Sequence, residues 1–589
     1  MRQVLSCASA FRTLSRTARL VKAPRAYANA LSSSPVSSPH QQQQQPRRSK
    51  VVESVYGKDL PLQRDTLIEH LRRDVCVWED KKFVTCAASG VSYTYAQANR
   101  LTHGFARALA GGRGLAKGDV VALVAPNIPE FVFAAHGAIE AGLTVTFVNP
   151  LYTPEETARQ LKICNARLVA TIPELLPLVR AVAQSIPQYK GTVLLDQQPS
   201  EQAAGEMSFQ ALAAEGLATE GIVLPRADAE DIAILPFSSG TTGMPKGVML
   251  SHGQLVSNLV MNMHPEFRFA RHTKGDVQDT ILSVLPFFHI MGFNTVLHTT
   301  ILSGQHLITL PKFTPEGYIG ALMRHQPTGL GAVPAILQFL AMHPSVKPEH
   351  LQSIRYVICG AAPLDVDLIM RFNDKAGREV DVRQGYGMTE TAPVTLLCSR
   401  STPIKRRGSV GQPLTGTRAR VVDLTTGEDL GPGERGELLV KGPQLMTGYY
   451  KNDEATREVL DDEGWLHTGD VAYYDEEQYF HIVDRTKELI KVKGHQVSPT
   501  ELESVIRQIS GIVDVAVVGV PNERYGEVPI AFVVLHPGAQ VSEEDVVSFV
   551  EPKVAPYKRL AGGVKFVEAI PRNAGGKVLR TQLKTMVSK

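Results

Sequence analysis

From about Val51 onward, runs of β-branched residues alternate with amphipathic segments, and this order limits the fold more than any other feature of the chain. Residues 120–125 and Thr144–Val148 are typical of buried strands, and a helix beginning at Pro129 separates them. Thr153 precedes a proline and two glutamates, a pattern that starts another helix. Strand–helix–strand units with right-handed crossovers build parallel sheets covered by helices. We therefore predict an α/β fold.

The overall composition excludes several protein classes. At 589 residues the chain is too long for one hydrophobic core, and 43% hydrophobic and 21% charged residues are typical of folded, multidomain proteins. The six cysteines form no Cys-x-x-Cys pair, so neither a zinc site nor a disulfide framework is indicated. The net charge of +3 does not indicate nucleic acid as a partner. We find no charge-free apolar run of about 18 residues and expect no membrane-spanning helix.

The N-terminal segment has the composition of a mitochondrial transit peptide. Residues 1–52 contain no Asp or Glu, while arginines recur among Leu, Ala and Ser. Arg25 lies three positions before a processing point after Tyr27, so we assign residues 1–27 to a transit peptide. Residues 28–52, with a glutamine run, are predicted to be a low-complexity linker. A disordered basic tail is the alternative. The C-terminal Lys589 replaces the leucine of a peroxisomal signal, so we expect the mitochondrial matrix.

The C-terminal part of the chain has a different pattern. Residues 513–520 and 530–535 read as strands between polar helices at 499–509 and 542–550, which predicts a small α+β unit. A charged stretch, 484–488, comes just before this unit. We therefore place a domain boundary there, with an N-terminal domain over residues 53–485 and a C-terminal domain over residues 486–589.

A glycine- and hydroxyl-rich loop follows residues 232–237, an apolar run that we predict to be one strand. Glycines let backbone N–H groups face an anion, while hydroxyls and a lysine add donors and charge, so we predict a phosphate-binding loop. It is not a Walker A loop, because Pro245 and Gly247 occupy positions where that motif needs glycine and a hydroxyl residue. An ordinary glycine-rich turn is the alternative. The predicted phosphate-binding residues are Ser238, Ser239, Gly240, Thr241, Thr242, Gly243 and Lys246, with Thr242 also a catalytic candidate.

With this loop, the chain resembles the adenylate-forming superfamily of acyl-CoA synthetases, adenylation domains and beetle luciferases, most closely its 4-coumarate–CoA ligase-like branch. The resemblance runs from about residue 55 to the C-terminus. It implies a large N-terminal domain of two stacked α/β layers plus a small β-barrel, followed by a small mobile α+β C-terminal domain. It also implies ATP, coenzyme A and Mg²⁺ as cofactors and a small carboxylic acid as substrate.

Residues 384–390 resemble the adenine and metal motif of this superfamily. Tyr386 offers a flat face for adenine, Thr389 can donate to a phosphate oxygen, and Glu390 can hold Mg²⁺ directly or through water. An exposed turn is the alternative. The remaining nucleotide-binding candidates of this motif are Gln384, Gly385 and Gly387.

Four further residues match the nucleotide and hinge positions. Asp470, in a segment similar to the ribose-binding motif, can accept two hydroxyl donors. Arg485 is expected to add a ribose contact, and Lys487 occupies the hinge position. Lys577, in a glycine-containing loop, matches the catalytic lysine that contacts the carboxylate and α-phosphate. A cation suits this place because negative charge builds on the phosphoryl oxygens during the reaction.

The segment 487–497 resembles the strand and loop that act in the second half-reaction. The resemblance implies that Lys491, a catalytic candidate, and Gln496 contact phosphate and substrate. It also implies that Lys493 binds cofactor and that Gly494 lines a tunnel for pantetheine. An edge strand with solvated lysines is the alternative.

Residues 287–293 follow Leu285-Pro286 and resemble the stretch of this superfamily in which a histidine or an aromatic residue guards the acyl site. His289 is expected to orient the substrate carboxylate or to gate pantetheine, although a buried core histidine is the alternative. Met291 stands where the plant enzymes carry a tyrosine, so an apolar acid, either a medium-chain fatty acid or an aryl acid, fits better than a hydroxycinnamate. The other acyl-site candidates are Phe293, Gly331, Ala332, Gly360, Pro393 and Val394.

The leading hypothesis is thus an ATP-dependent acid–thiol ligase that forms acyl-CoA through an acyl-AMP intermediate. One alternative is a 4-coumarate-type aryl-CoA ligase. Others are a luciferase-type oxygenase and a module that loads a carrier protein, against which we note that no carrier domain follows Lys589. A non-catalytic scaffold is disfavoured because Glu390, Asp470 and Lys577 are all present.

Overall fold

The computed structural model describes residues 50–195, 205–238, 245–492, 495–522, 524–573 and 576–587, without the side chain of Gln496. These residues belong to one compact unit. The predicted transit peptide and nearly all of the predicted linker lie outside the described residues. The same is true of seven predicted site residues: Ser239, Gly240, Thr241, Thr242, Gly243, Lys493 and Gly494.

The first large sheet has a parallel centre. Val120–Val124 pairs in parallel with Thr144–Val148 and with Ala166–Thr171, and the first two strands are buried throughout. Thr153 caps the next helix through a capping box, as predicted. In spatial order the strands are Phe237–Ser238, Lys246–Ser251, Ile232–Ile234, Thr144–Val148, Val120–Val124, Ala166–Thr171, Gly191–Leu194 and Glu206–Ser208, and Gly448–Tyr449 pairs with Lys246–Ser251.

One strand prediction in this sheet is wrong. The apolar stretch 232–237 forms two short strands, Ile232–Ile234 and Phe237–Ser238, instead of one. Pro236 lies between them and has no N–H group to donate to a ladder, which explains the interruption. The helices along this part of the chain are Leu67–Arg72, Tyr95–Ala110, Pro129–Glu140, Pro154–Ile163, Leu176–Ala183, Phe209–Ala218 and His252–Asn262.

The second large sheet brings several strand ends to one edge. Gly329–Ala332, Tyr356–Cys359 and Asp381–Gly387 are parallel neighbours, and ligand sites in such sheets lie at the carboxyl ends of the strands. In spatial order the strands are Gln412–Pro413, Val394–Leu397, Asp381–Gly387, Tyr356–Cys359, Gly329–Ala332, Thr280–Ser283, His306–Thr309, Lys82–Cys86 and Ser92–Thr94. The π-helix Met291–His298 and the α-helices Thr299–Ser303, Pro315–His325, Pro334–Met342 and Val366–Ala376 accompany this sheet in the chain.

A third, antiparallel sheet stands where the small barrel was predicted. Its strands in spatial order are Val52–Glu53, Arg418–Val422, Gly436–Lys441, Leu466–Tyr474 and Phe480–Arg485. The helix Asp453–Val459 precedes the fourth of these strands in the chain. Short 3-10 helices occur at Val75–Val77, Pro173–Leu175, Pro348–Leu351, Thr389–Thr391, Ile404–Arg406, Glu551–Lys553 and Pro556–Lys558.

The C-terminal part forms the predicted α+β unit with its own hydrophobic cluster. The strand predicted at 530–535 begins earlier, at Gly526, because residues 526–529, which lack a continuous apolar pattern, also pair with Ile512–Asn522. The strands in spatial order are His495–Val497, Ile490–Val492, Gly526–Leu535 and Ile512–Asn522, with Val564–Phe566 beside Gly526–Leu535. The helices are Pro499–Ile506, Glu543–Val550 and Arg580–Thr585.

The fold class is therefore the predicted one, α/β with a large N-terminal domain and a smaller C-terminal domain. Among the described helices, none has the length and apolar character needed to cross a membrane.

Candidate active site

Three predicted nucleotide residues from three different strands meet. Tyr386 lies near the end of Asp381–Gly387, and its hydroxyl donates to Asp470 Oδ2 at 2.6 Å. Asp470 is paired in register with Arg485 on the neighbouring strand, and Arg485 Nε lies 3.4 Å from Asp470 Oδ1. Tyr386, Asp470 and Arg485 are hereafter the ribose group.

Burial dominates the electrostatics of the ribose group. Only 6% of Asp470 is exposed, and burial raises the pKa of its carboxyl, while Arg485 and the Tyr386 hydroxyl act to lower it. Burial, and then the charge of Asp470, raise the pKa of Tyr386 far above its usual value, so the phenol remains a neutral donor. The carboxylate has few compensating partners and is therefore suited to accept the two hydroxyls of a ribose.

A second buried carboxylate, Glu390, lies beside the predicted phosphate loop. Ser238 Oγ and Tyr449 Oη both donate to Glu390 Oε1, at 2.8 and 2.9 Å. Lys246 Nζ lies 4.7 Å from the centre of the Tyr449 ring. The sequence analysis missed Tyr449, which reaches this place only because it pairs with Val248 across a long chain separation.

The Glu390 site fits Mg²⁺ only together with a nucleotide. Both hydrogen bonds that described residues make to this carboxylate end on Oε1. Mg²⁺ is commonly bound by one or two carboxylates plus substrate phosphates. In the part of the chain that the structure describes, no three His, Cys, Asp or Glu residues are grouped to hold a metal by themselves. Glu390 would therefore hold the ion jointly with phosphate oxygens.

The catalytic candidate of the C-terminal domain, Lys577, faces the ribose group. Its Nζ lies 3.7 Å from Glu488 Oε1. Burial lowers the pKa of Lys577, as does Arg485, while Glu488 and Asp470 act to raise it. A Cβ on Gly576 would lie 3.6 Å from Val333 Cγ2, so Gly576 lies against the N-terminal domain.

Glu488 is held by a second cation that the sequence analysis did not single out. Arg580 Nε donates to Glu488 Oε2 at 2.8 Å, and Arg580 Nη1 donates to Glu503 Oε1 at 2.6 Å. Glu488, Lys577 and Arg580 are hereafter the lysine group. Burial acts to raise the pKa of Glu488, but the two cations outweigh it and hold that pKa below its usual value. Glu488 and Arg580 lie 92 residues apart in the chain, so no local motif reveals the pair.

The predicted hinge residue, Lys487, directly precedes Glu488 in the chain, and the strand predicted for the second half-reaction follows it. Lys487 is exposed and lies in the turn where Leu489 N donates to Arg485 O. The Lys491 side chain is exposed, and its backbone N–H donates to Glu527 Oε2 at 2.9 Å. Gln496 is paired in register with Lys491. In this state the domain thus presents Lys577, and not Lys491, to the ribose group.

On the acyl side, glycines allow the π-helix to approach the sheet. A Cβ on Gly360 would lie 3.1 Å from Met291 Cε and 3.6 Å from the Gly385 carbonyl oxygen. A Cβ on Gly331 would lie 3.4 Å from Val296 Cγ2. The structure therefore brings Met291, Gly360 and Gly385 together, and π-helical segments are frequent at functional sites.

His289 precedes the π-helix and is neutral. Burial lowers the pKa of its imidazole. Its backbone N–H donates to Pro286 O at 3.1 Å, and its carbonyl accepts from Phe293 N at 3.0 Å. A neutral imidazole can donate one hydrogen bond and accept another, so it can bind a carboxylate without adding charge.

Two other predicted residues, Phe293 and Ala332, pack in hydrophobic clusters. Phe293 is fully buried, with its ring centre 4.6 Å from Phe147 and 4.5 Å from His298. Ala332 follows Gly331 in the strand and packs with Cys359 in a different core cluster. Assignment of Phe293 and Ala332 to the acyl site remains a prediction.

Gln384 and Val394 are likewise held by main-chain contacts. The Gln384 side chain donates to the carbonyls of Leu364 and Arg407, both at 3.1 Å. Val394 is buried, and its carbonyl accepts from Asn258 Nδ2 at 2.7 Å. Their direct roles in binding also remain predictions.

Gly387 and Pro393 close a tight loop around Thr389 and Glu390. Met388 N donates to Pro393 O at 3.1 Å, and any Cβ at Gly387 would collide with that carbonyl oxygen. Thr389 begins the short helix Thr389–Thr391 and is half-buried. Only glycine at position 387 permits this approach of the two strands.

Comparison with known proteins gives consistent matches along the chain. A family model described as AMP-binding enzyme matches residues 71–450, and one described as AMP-binding enzyme C-terminal domain matches residues 501–577. The chain is 38% identical to 4-coumarate–CoA ligase 3 of Oryza sativa subsp. japonica over 508 residues, which is 85% of this chain and 88% of that protein.

Solved structures match over similar lengths. ATP-bound MatB from Rhodopseudomonas palustris has a TM-score of 0.78 and 30% identity, covering 88% of this chain and 98% of that chain. The anthranilate CoA ligase AuaEII in complex with anthranoyl-AMP has a TM-score of 0.79 and 25% identity, covering 90% of this chain and 98% of that chain. The resemblance inferred from the motifs is thereby confirmed.

Proposed function

This chain belongs to the AMP-binding enzyme family, and we propose from that premise that it is an acid–thiol ligase, which uses ATP to join a carboxylic acid to coenzyme A. The observation that carries the proposal is the contact of Tyr386 and Arg485 with the buried Asp470, at a place where the charges of Asp470 and Arg485 also act on the pKa of Lys577. The named activities of the rice 4-coumarate–CoA ligase and the anthranilate CoA ligase support the same reaction class.

In the first half-reaction, a carboxylate oxygen attacks the α-phosphorus of ATP, and pyrophosphate leaves. Asp470 accepts the ribose hydroxyls, and Lys577 places positive charge beside the phosphoryl oxygens as their negative charge grows. Mg²⁺ bound at Glu390 would neutralise part of the phosphate charge. The neutral His289 is positioned by its backbone contacts to orient the acid.

In the second half-reaction, the sulfur of coenzyme A attacks the acyl carbonyl, and AMP leaves. Because Lys491 is exposed in this state, we propose that the C-terminal domain turns about Lys487 to bring Lys491 and Gln496 to the adenylate. Lys493 and Gly494, outside the described residues, are proposed to border the path of pantetheine.

We propose that the acid is apolar, either a medium-chain fatty acid or an aryl acid without a phenol. Met291 packs against Gly360 and offers no hydrogen-bond donor to a polar tip. A hydroxycinnamate is the second candidate, and the 38% identity to a rice 4-coumarate–CoA ligase supports it.

The test is pyrophosphate release by protein lacking residues 1–27, with Mg²⁺ and ATP, on a panel of straight-chain, aryl and hydroxycinnamic acids. CoA-dependent turnover that is lost in Lys577→Ala supports the ligase. Light emission or release that ignores CoA would instead favour an oxygenase or a different acyl acceptor. A preference for hydroxycinnamates would retain the ligase but contradict the interpretation of Met291.

We also propose import into the mitochondrial matrix, on the strength of the basic N-terminal segment. Imaging of a fluorescent fusion, with and without residues 1–27, tests this location. A diffuse signal from the full chain would contradict it.

A further inference from the structure

The loop that carries Glu390 and Pro393 is closed on itself. Met388 N donates to Pro393 O at 3.1 Å, and Thr391 Oγ1 also bonds to that carbonyl. This closure and the register pair of Gly387 with Val394 tie the 388–394 loop to the sheet, but they do not fix where the loop lies relative to the π-helix. Other contacts must set that position.

Two fully buried asparagines from different helices hold the loop. Asn294, in the π-helix Met291–His298, donates through Nδ2 to the Ala392 carbonyl at 2.6 Å. Asn258, in the helix His252–Asn262, donates through Nδ2 to the Val394 carbonyl at 2.7 Å. Asn258 and Asn294 are hereafter the asparagine clamp. A carbonyl oxygen can only accept, so both amides must present their NH₂ groups to the loop.

A pair of buried histidines fixes the orientation of Asn294. Since Asn294 Nδ2 faces Ala392, its Oδ1 accepts from His298 Nδ1 at 2.8 Å. His298 then has a free lone pair on Nε2, which lies 3.0 Å from His136 Nε2. His136 must therefore carry the proton on Nε2 and donate it. The donor direction runs from His136 through His298 and Asn294 to the loop, inferred from the hydrogen-bond partners alone.

The buried setting keeps this chain of hydrogen bonds in one form. Burial lowers the pKa of His136 to about 3 and that of His298 well below its usual value. A protonated His298 would point its Nε2 proton at that of His136. With both rings neutral, reversing the Asn294 amide would set two acceptors against each other at Ala392 and two donors at His298.

We propose that the asparagine clamp, oriented at Asn294 by His298 and His136, positions the 388–394 loop for Mg²⁺–ATP, so that Asn258 and Asn294 are positioning residues for the adenylation half-reaction. The proposal rests on the proposed ligase function. Glu390 is proposed to act with the phosphates that leave before coenzyme A reacts, so loss of the clamp should slow adenylation more than thioester formation, although the loop also carries the acyl-site candidates Pro393 and Val394.

The central variant is Asn294→Leu, which keeps a similar volume but removes the donor to Ala392. We expect the adenylation rate to fall about ten-fold and the Kd for Mg²⁺–ATP to rise by a similar factor. Thioester formation from supplied acyl-AMP should change less than about two-fold. An equal fall in both half-reactions, or no fall in either, would overturn the proposal, because lost folded protein affects both.

Two further variants keep the result interpretable. Thr295→Val is the matched control, since Thr295 neighbours Asn294 in the same helix, is buried, and its hydroxyl has no hydrogen-bond partner among the described residues. It should leave both half-reactions unchanged. His136→Phe removes the first donor at a distance from the loop and should weaken Mg²⁺–ATP binding about three-fold, which tests the orientation step even if Asn294→Leu does not fold.

A calorimetric measurement of Mg²⁺–ATP binding needs no carboxylic acid substrate, so it separates the ligase proposal from the clamp proposal. Absence of turnover by wild-type protein on every acid would count against the ligase, while a selective loss of Mg²⁺–ATP binding in Asn294→Leu would still support the clamp. Wild-type turnover with unchanged nucleotide binding in Asn294→Leu would retain the ligase and overturn the clamp.

Discussion

The ribose group and the lysine group each place a half-buried or buried carboxylate beside cations, yet their pKa values move in opposite directions. Asp470 has one guanidinium, at 3.4 Å, and a neutral phenol, and burial raises its pKa. Glu488 has Arg580 at 2.8 Å and Lys577 at 3.7 Å, and its pKa is lowered. The deeper burial of Asp470 and the closer cations around Glu488 together decide which effect wins.

This difference separates two uses of a carboxylate. Glu488 is already neutralised by Arg580 and Lys577, so it serves to hold a lysine in place. The buried negative charge of Asp470 is incompletely compensated by the protein, so hydroxyl donors from a ligand would stabilise it further. Glu488, neutralised by cations of the protein, is thus the protein-matched carboxylate. Asp470, left to accept hydroxyl groups of the ligand, is the substrate-matched carboxylate.

Among the changes that test this comparison, removal of Lys577 should have the largest effect on the adenylation rate. In Lys577→Ala we expect adenylation to slow about 10²–10³-fold, because one preorganised charge on the transition state is lost. Stopped-flow measurement of pyrophosphate release tests this, with the exposed Lys565→Ala as a control in the same domain. Thioester formation from supplied acyl-AMP should persist, and its loss would mean that Lys577 acts in both half-reactions.

Removal of the substrate-matched carboxylate should come next. In Asp470→Ala we expect the KM for ATP to rise about 10–100-fold, the usual range for hydrogen bonds to a charged group. Steady-state kinetics with varied ATP tests it, and the exposed Asp462→Ala is the control. An unchanged KM would show that Asp470 is not matched to the nucleotide.

Neutralising the protein-matched carboxylate should have a smaller effect with a defined pH signature. Glu488 raises the pKa of Lys577, so in Glu488→Gln that pKa falls further and the lysine loses its proton at lower pH. We expect adenylation to slow about five- to ten-fold above neutral pH, with its alkaline limb moved toward lower pH.

The control for this variant is the exposed Glu568→Gln, which should leave the pH profile of adenylation unchanged. A shift of the alkaline limb toward higher pH in Glu488→Gln would contradict the assigned role of Glu488.

The smallest effect is expected from the phenol of the ribose group. Tyr386→Phe keeps the aromatic face but removes the hydrogen bond to Asp470, so the KM for ATP should rise about two- to five-fold. That bond lowers the pKa of Asp470, so without it the acid limb of ATP binding should move to higher pH. Tyr473→Phe is the control, and a ten-fold loss of adenylation at all pH values would point to a broader role for the hydroxyl.

Much of the fold could be predicted from the sequence because the patterns that specify its helices and strands are local. Thr153 forms the predicted capping box, and the buried strands Val120–Val124 and Thr144–Val148 follow the predicted apolar runs. Tyr386 and Asp470, which the structure brings into contact, could be proposed for a similar reason, since each lies in a short motif. The break at Pro236 was missed although proline gives a local signal.

The unpredicted residues depend on pairing between distant segments. Tyr449 reaches Glu390 through a strand pair, and Arg580 reaches Glu488 through the tertiary fold of the C-terminal domain. Asn258 and Asn294 are ordinary helix residues in the sequence, and only the fold brings them to one loop. No spacing pattern encodes such contacts.

The ionic cluster of Glu488, Glu503 and Arg580 limits how the C-terminal domain can be exchanged between relatives. All three residues lie after the turn at Lys487, so a chimera joined at 485–486 transfers the complete cluster with Lys577. A crossover between Glu488 and Glu503 would divide the cluster between two parent sequences. When the C-terminal domain is exchanged between relatives, the upstream crossover point should therefore precede Glu488.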